Sequence, residues 1–306
     1  MNLLLSVLSL LVFPGLLYAL PMGWLMLGFE RKLRARFQGR IGPPLSQPFY
    51  DVIKLMAKSP VARARSETTL LTALPLLAIA SMAGALALLP VFAGESGFVG
   101  DLILLVALLE MPALCLILVG FTSRSIYGEV GATREAIVAI ASNVPFLAAL
   151  VAMATAAGSL HLSRIVFATP LMVRLPALLA ILFCLPAKLR INPFSLANAE
   201  QELLAGPLTE LEGPRLALWD LAHGLEWVAF TGFAVTLSVP LRSPKNLVNA
   251  VVFALLSLVL VTLLTILASA TARLKITQAT SWLWRWGSAV AAVALATALI
   301  LRHGGY

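Results

Sequence analysis

Four carboxylates, Glu200, Glu202, Glu210 and Glu212, fall within thirteen residues of a 306-residue chain. Held together at low dielectric, like charges raise one another's proton affinity, and loss of water raises it further. Such a cluster can take up and release protons near neutral pH. A solvated acidic loop would explain the same spacing, although Phe194, Leu196, Leu203, Leu204 and Leu208 in and around it suggest a segment tucked against protein. Glu110 is a sharper case, because it sits in the middle of the apolar stretch 101–121. A charged residue at the centre of a membrane helix costs roughly 2.5–3.5 kcal/mol on insertion scales. It therefore needs either a proton path that uses it or a structural ion pair. Asp220, His223 and Glu226 recur every three residues and share one helix face. With histidine titrating near pH 6.5, they have the make-up of a proton relay; a polar seam at the end of a span is the plainer alternative. Glu135 follows Thr133-Arg134 at the start of an apolar run, where a helix N-terminus favours an anion. It is either functional or a cap-region carboxylate paired with arginine.

The cations Arg31, Lys32, Arg34, Arg36 and Arg40 follow the first apolar run directly. They can anchor the chain to anionic headgroups, at about 1 kcal/mol each, or dock a soluble partner. Cys115 and Cys184 lie within apolar runs and are too few to hold an iron–sulfur cluster, which usually takes four thiolates. No dinucleotide, phosphate-loop or zinc-protease motif occurs. Any redox chemistry would therefore belong to partner chains, and this chain is expected to carry no cofactor.

Membrane spans have to hold these side chains in place. Sixty per cent of the residues are hydrophobic and 12% charged, against about 25% charged in soluble domains. Apolar runs fall at 3–28, 69–92, 101–121, 136–158, 170–187, 216–240, 247–269 and 285–302. Each is near the ~20 residues that cross a bilayer, and continuous apolarity selects helices over a barrel. The first run is read as a retained span, since it lacks a basic leader. The fifth, punctuated by Pro170, Pro176 and Pro186, could be tilted or broken. These features predict an all-α integral membrane protein, a bundle of about eight transmembrane helices forming a single transmembrane domain over 1–306.

The net charge of +8 raises nucleic acid as a partner, but its placement excludes one, because the cations cluster between the spans. Segments 31–65, 122–135, 188–215 and 270–285 hold seventeen Lys and Arg, against five on the other side. That bias puts the four rich segments in the cytoplasm and both termini opposite. Two cytoplasmic segments are longer than connectors. Residues 30–67 contain a turn at Gly42-Pro43-Pro44 flanked by short interfacial helices, and 188–215 form the acidic loop. No internal repeat of the kind secondary transporters carry is found.

Three ordered motifs resemble a known family. They are Glu30-Arg31-Lys32 with Gln38-Gly39-Arg40, Gly42-Pro43-Pro44 and Gln47-Pro48-Phe49-Tyr50-Asp51; Gly131-Ala132-Thr133-Arg134-Glu135; and Pro193-Phe194 through Glu200-Gln201-Glu202-Leu203 to Thr209-Glu210. They are similar to the subunit 1 family of respiratory complex I, especially its relatives in membrane-bound NiFe hydrogenases and formate hydrogenlyases. The resemblance implies a non-catalytic membrane subunit that couples electron transfer to proton or sodium translocation. It would lie in the inner (cytoplasmic) membrane, between peripheral iron–sulfur and hydrogenase-like subunits and antiporter-like membrane subunits. Iron–sulfur clusters, and a NiFe centre or quinone, would belong to the partners. Carried across, Arg40, Asp51, Glu200, Glu202 and Glu210 would line a chamber below the terminal cluster, with Arg31, Arg36 and Lys54 at the docking surface. Glu110, Glu135, Asp220, His223 and Glu226 would begin the hydrophilic route to the pumping subunits. The chain departs from complex I at Asn143, Ser195, Asn198 and His223, each where complex I usually carries an acid.

Overall fold

The computed structural model describes residues 15–59, 65–91, 98–123, 125–197, 206–241 and 246–303, with the side chains of 65–68 left out. Helices account for nearly all of them: α1 (Leu16–Phe37), α2 (Gln47–Met56), α3 (Arg65–Ala87), α4 (Asp101–Thr122), α5 (Ile126–Ala157), α6 (Leu162–Ala168), α7 (Leu171–Lys188), α8 (Pro214–Ser238) and α9 (Asn246–Ala270). The last, α10 (Ile276–His303), includes a π-helical turn at Leu283–Gly287. A 3-10 turn at Gly206–Glu210 lies before α8. No strand occurs among the described residues.

The all-α membrane architecture holds. Six helices, α3, α4, α5, α7, α9 and α10, are long and apolar enough to cross a membrane. The other two apolar runs are also helical where described. Only the second part of the first run is covered, by α1. The sixth forms α8, which is made more polar by Arg215, Asp220, His223 and Glu226. The fifth run is not broken: α7 is continuous, with Pro170 at its N-cap and Pro176 and Pro186 inside the helix.

Helix α8 is the axis of the bundle. From Gly224 to Leu237 every residue is buried, and α1, α3, α4, α7 and α9 pack around it. In lipid the apolar effect does not drive helices together, so close packing and polar contacts must do so. Helix α1 meets α8 at paired glycines: a Cβ on Gly23 would lie 2.7 Å from the Gly224 carbonyl oxygen. That approach carries the polar end of α1 up to the titratable face of α8. Phe146 of α5 contacts Phe230 and Phe233 of α8, with ring centroids 6.5 and 6.2 Å apart.

Two boundaries differ from the sequence expectation. Helix α5 starts at Ile126, so Glu135 lies in its third turn and not at its N-terminus. Gly128 and Gly131 allow the early start. A Cβ on Gly131 would lie 2.6 Å from Pro207 Cδ, so this stretch of α5 can pack tightly against the turn before α8. Helix α1 runs on to Phe37, so Arg31, Arg34 and Arg36 stand on turns of the first helix itself and not on a separate short interfacial helix.

Candidate functional site

Helix α7 ends at Lys188 in a tight reversal. The Ile191 N–H donates to the Pro186 carbonyl and the Arg190 N–H to that of Ala187, the pairing in which the chain turns through a left-handed residue. Glycine usually takes that position, but here Arg190 does, at φ +55°. A non-glycine residue there costs about 1–2 kcal/mol. The contacts that the turn gives this side chain offset the cost.

The turn directs Arg190 into the bundle, where it is 7% exposed. Its guanidinium pairs with Glu226 of α8, lies 3.5 Å from Glu135 of α5 and 3.2 Å from His223 Nδ1, and sits 6.0 Å from the Trp219 ring centre. Burial works against the charge, but Glu226 and Glu135 outweigh it and hold the guanidinium above its ordinary range. His223 Nδ1 is 2.9 Å from Glu226, and the Trp227 indole N–H donates to His223 Nε2 at 3.2 Å. With Nε2 accepting, Nδ1 carries the proton towards Glu226.

A second buried cation lies two residues earlier. Lys188, 6% exposed, pairs with Glu110 of α4, donates to Asn143 of α5 and stands 5.2 Å from the Phe146 ring centre. Between the two clusters is a void of about 10 Å³, lined by Glu110, Glu135, Lys188, Glu226 and Ser142. That is room for about one water.

Arg190 and His223 also line a cleft of about 1050 Å³, together with other residues of the 189–195 turn and α8 and with residues of α1 and α2. Its wall carries five arginines (Arg31, Arg34, Arg40, Arg190, Arg273) and three carboxylates (Glu30, Asp51, Asp220). Asp51 accepts from Arg31 and from Gln47 Nε2, each at 2.8 Å, and Glu30 pairs with Arg34. Ionisable groups thus run from the cleft, through His223, Arg190, Glu226 and Glu135, past the void to Lys188 and Glu110.

Of the residues singled out by sequence, Glu110, Glu135, His223 and Glu226 meet in this line, and Arg31, Arg40, Asp51 and Asp220 line the cleft. Glu210, in the 3-10 turn, and the exposed Arg36 and Lys54 are not among its lining residues. Glu200 and Glu202 lie outside the described residues. Glu135 pairs with Arg190, whereas the sequence suggested Arg134. Lys188 and Arg190 were missed as site residues, because the count of loop cations had absorbed them. The available signal was the need of three intramembrane carboxylates for counter-charges. Cys115 and Cys184 are buried in separate apolar clusters, and no group of metal-ligating side chains occurs among the described residues.

The family model described as NADH dehydrogenase matches residues 8–299. Hydrogenase-4 component C of Escherichia coli (strain K12) is 35% identical over 79% of this chain and 78% of its own length. Formate hydrogenlyase subunit 4 of the same organism is 30% identical over 84% and 89%. NADH-quinone oxidoreductase subunit 8 of Thermus thermophilus is 30% identical over 75% and 67%. Among solved structures, a chain of the membrane-bound sulfane sulfur reductase, an archaeal respiratory membrane complex, superposes with a TM-score of 0.85. It is 26% identical, and the match covers 96% of this chain and 98% of that one.

Proposed function

The chain belongs to the NADH dehydrogenase family, and from that premise we propose that it is the coupling membrane subunit of a complex I-like, ion-translocating redox complex of hydrogenase type. The observation that carries this reading is the line of ionisable side chains from the cleft to Glu110, inside an otherwise apolar bundle. Its partners would be peripheral iron–sulfur and hydrogenase-like subunits over the cleft, and antiporter-like membrane subunits beside the Glu110 end. The cleft would face the cytoplasm and both termini the opposite side of the inner membrane, as the cation bias suggests.

The coupling is electrostatic. Reduction of a partner's cluster, or proton uptake at its active site, changes the charge over the cleft. Asp220, His223 and the acidic loop respond by changing protonation. Glu226 is shared between Arg190 and His223, so a change at His223 alters how strongly Glu226 holds Arg190. The void-lining carboxylates and Lys188 follow. A wall with five arginines and three carboxylates suits water and ions better than a quinone's apolar tail, which favours the hydrogenase branch.

The test is Glu110→Gln in the assembled complex. Partner electron transfer should persist while ion translocation per electron falls, as expected when a charged member of the line is lost. An unchanged ion-to-electron ratio would refute the coupling role. Nickel in the complex co-purified from native membranes would support the hydrogenase branch, and quinone-dependent turnover would replace it with the respiratory one.

A further inference from the structure

We propose that the outward face of α10 at Trp284, Arg285 and Trp286 binds the headgroup of an anionic phospholipid, in the leaflet on the cleft side of the membrane. This surface is separate from the ionisable line, and its role does not depend on the coupling reading. Helix α10 changes to π-helical geometry at Leu283–Gly287. Its inward contacts account for the change. Leu283 is fully buried, and Gly287 lies so close to α5 that a Cβ there would sit 3.2 Å from Pro145. With those two positions fixed inward, the residues between them are presented outward as a consecutive trio. Trp284 and Trp286 are 57% and 61% exposed, and Arg285 is exposed between them. Trp282 flanks the trio, its ring stacked on Phe183 at 6.2 Å with the planes 5° apart.

Tryptophans concentrate at headgroup depth, which places Arg285 there too. The segment before α10 contributes Arg273 to the cleft wall, which fixes the leaflet. An arginine facing outward at this depth is attracted to anionic headgroups, and no salt bridge to it forms among the described residues. Nor does the chain around it in sequence carry a carboxylate, because no Asp or Glu occurs between residue 227 and residue 306. The same absence selects the lipid. A zwitterionic headgroup brings an ammonium that would meet Arg285, and the exposed Lys275 at the start of α10, with no Asp or Glu in α10 itself to receive it. An anionic headgroup brings no such cation. Two turns further along α10, exposed Val293 offers aliphatic surface to the acyl chains.

The assembled complex, placed in nanodiscs of phosphatidylethanolamine with a minority of phosphatidylglycerol, tests this by native mass spectrometry of the retained lipid. The wild type should retain phosphatidylglycerol in preference. Arg285→Gln should lower that preference about fivefold, from the ~1 kcal/mol that one cation contributes at an anionic surface, and Arg285→Lys should keep most of it. An unchanged preference in Arg285→Gln would overturn the assignment. So would a photo-crosslinker at position 284 that captures a partner subunit instead of phospholipid.

Discussion

Replacing Arg190 by methionine removes the cation that pairs with both Glu226 and Glu135, which are 1% and 4% exposed. Methionine keeps a long apolar stem, so the loss is mainly electrostatic. Removing one member of a buried ion pair costs about 3–5 kcal/mol, because the remaining charge is stranded. Here two carboxylates lose their shared cation, and among the described residues only Glu226 keeps another partner, His223, which puts the loss at the upper end of that range. At about 2–4 °C per kcal/mol for a chain of this size, the thermal midpoint of the assembled complex should fall by about 10 °C or more. Adding Glu226→Gln neutralises one stranded group and should recover part of the loss. Glu226→Gln alone should cost less, since Arg190 would keep Glu135. The assay is a double-mutant cycle on the midpoint, followed by tryptophan fluorescence in nanodiscs. The pair should couple by more than about 1.5 kcal/mol, within the range for residues in direct contact. A midpoint for Arg190→Met near that of the wild type, or strictly additive effects, would show that Arg190 does not hold the cluster together.

At the end of the bundle remote from the cleft, Asp101 accepts the Leu162 N–H at 2.6 Å and stands 3.6 Å from His161 Nδ1, with 1% of its surface exposed. Asp101→Asn should lower stability by about 1–3 kcal/mol, read as a drop in the thermal midpoint. Gly23→Ala would drive a Cβ into the Gly224 backbone, at a cost of about 1–3 kcal/mol. It should also separate α1 from α8, seen as a longer distance between spin labels on the two helices. Asp51→Asn should change the midpoint by no more than about 2–4 °C. The Arg31–Asp51 pair is 45% and 33% exposed, and such pairs contribute at most about 1 kcal/mol.

Hydropathy alone settles the class of the fold. Continuous apolar runs of spanning length leave the backbone no solution but helices, and over the described residues they appear where the pattern placed them. Residue type also singles out Glu110, His223 and Glu226, because a titratable residue at membrane depth is costly whatever surrounds it. The ends of elements were less legible. The polar stretch before residue 136 reads as a loop, yet α5 extends back to Ile126 because close packing against Pro207, made possible at Gly131, favours helix there. Which charges meet is a matter of three-dimensional packing. Lys188 and Arg190 carry the same signal in sequence as any cation at the end of a span. Their burial depends on the reversal after α7 and on three other helices bringing Glu110, Glu135 and Glu226 to that turn. A counter-charge is a property of two positions far apart in the chain, so local pattern can show that one is required without showing which residue supplies it.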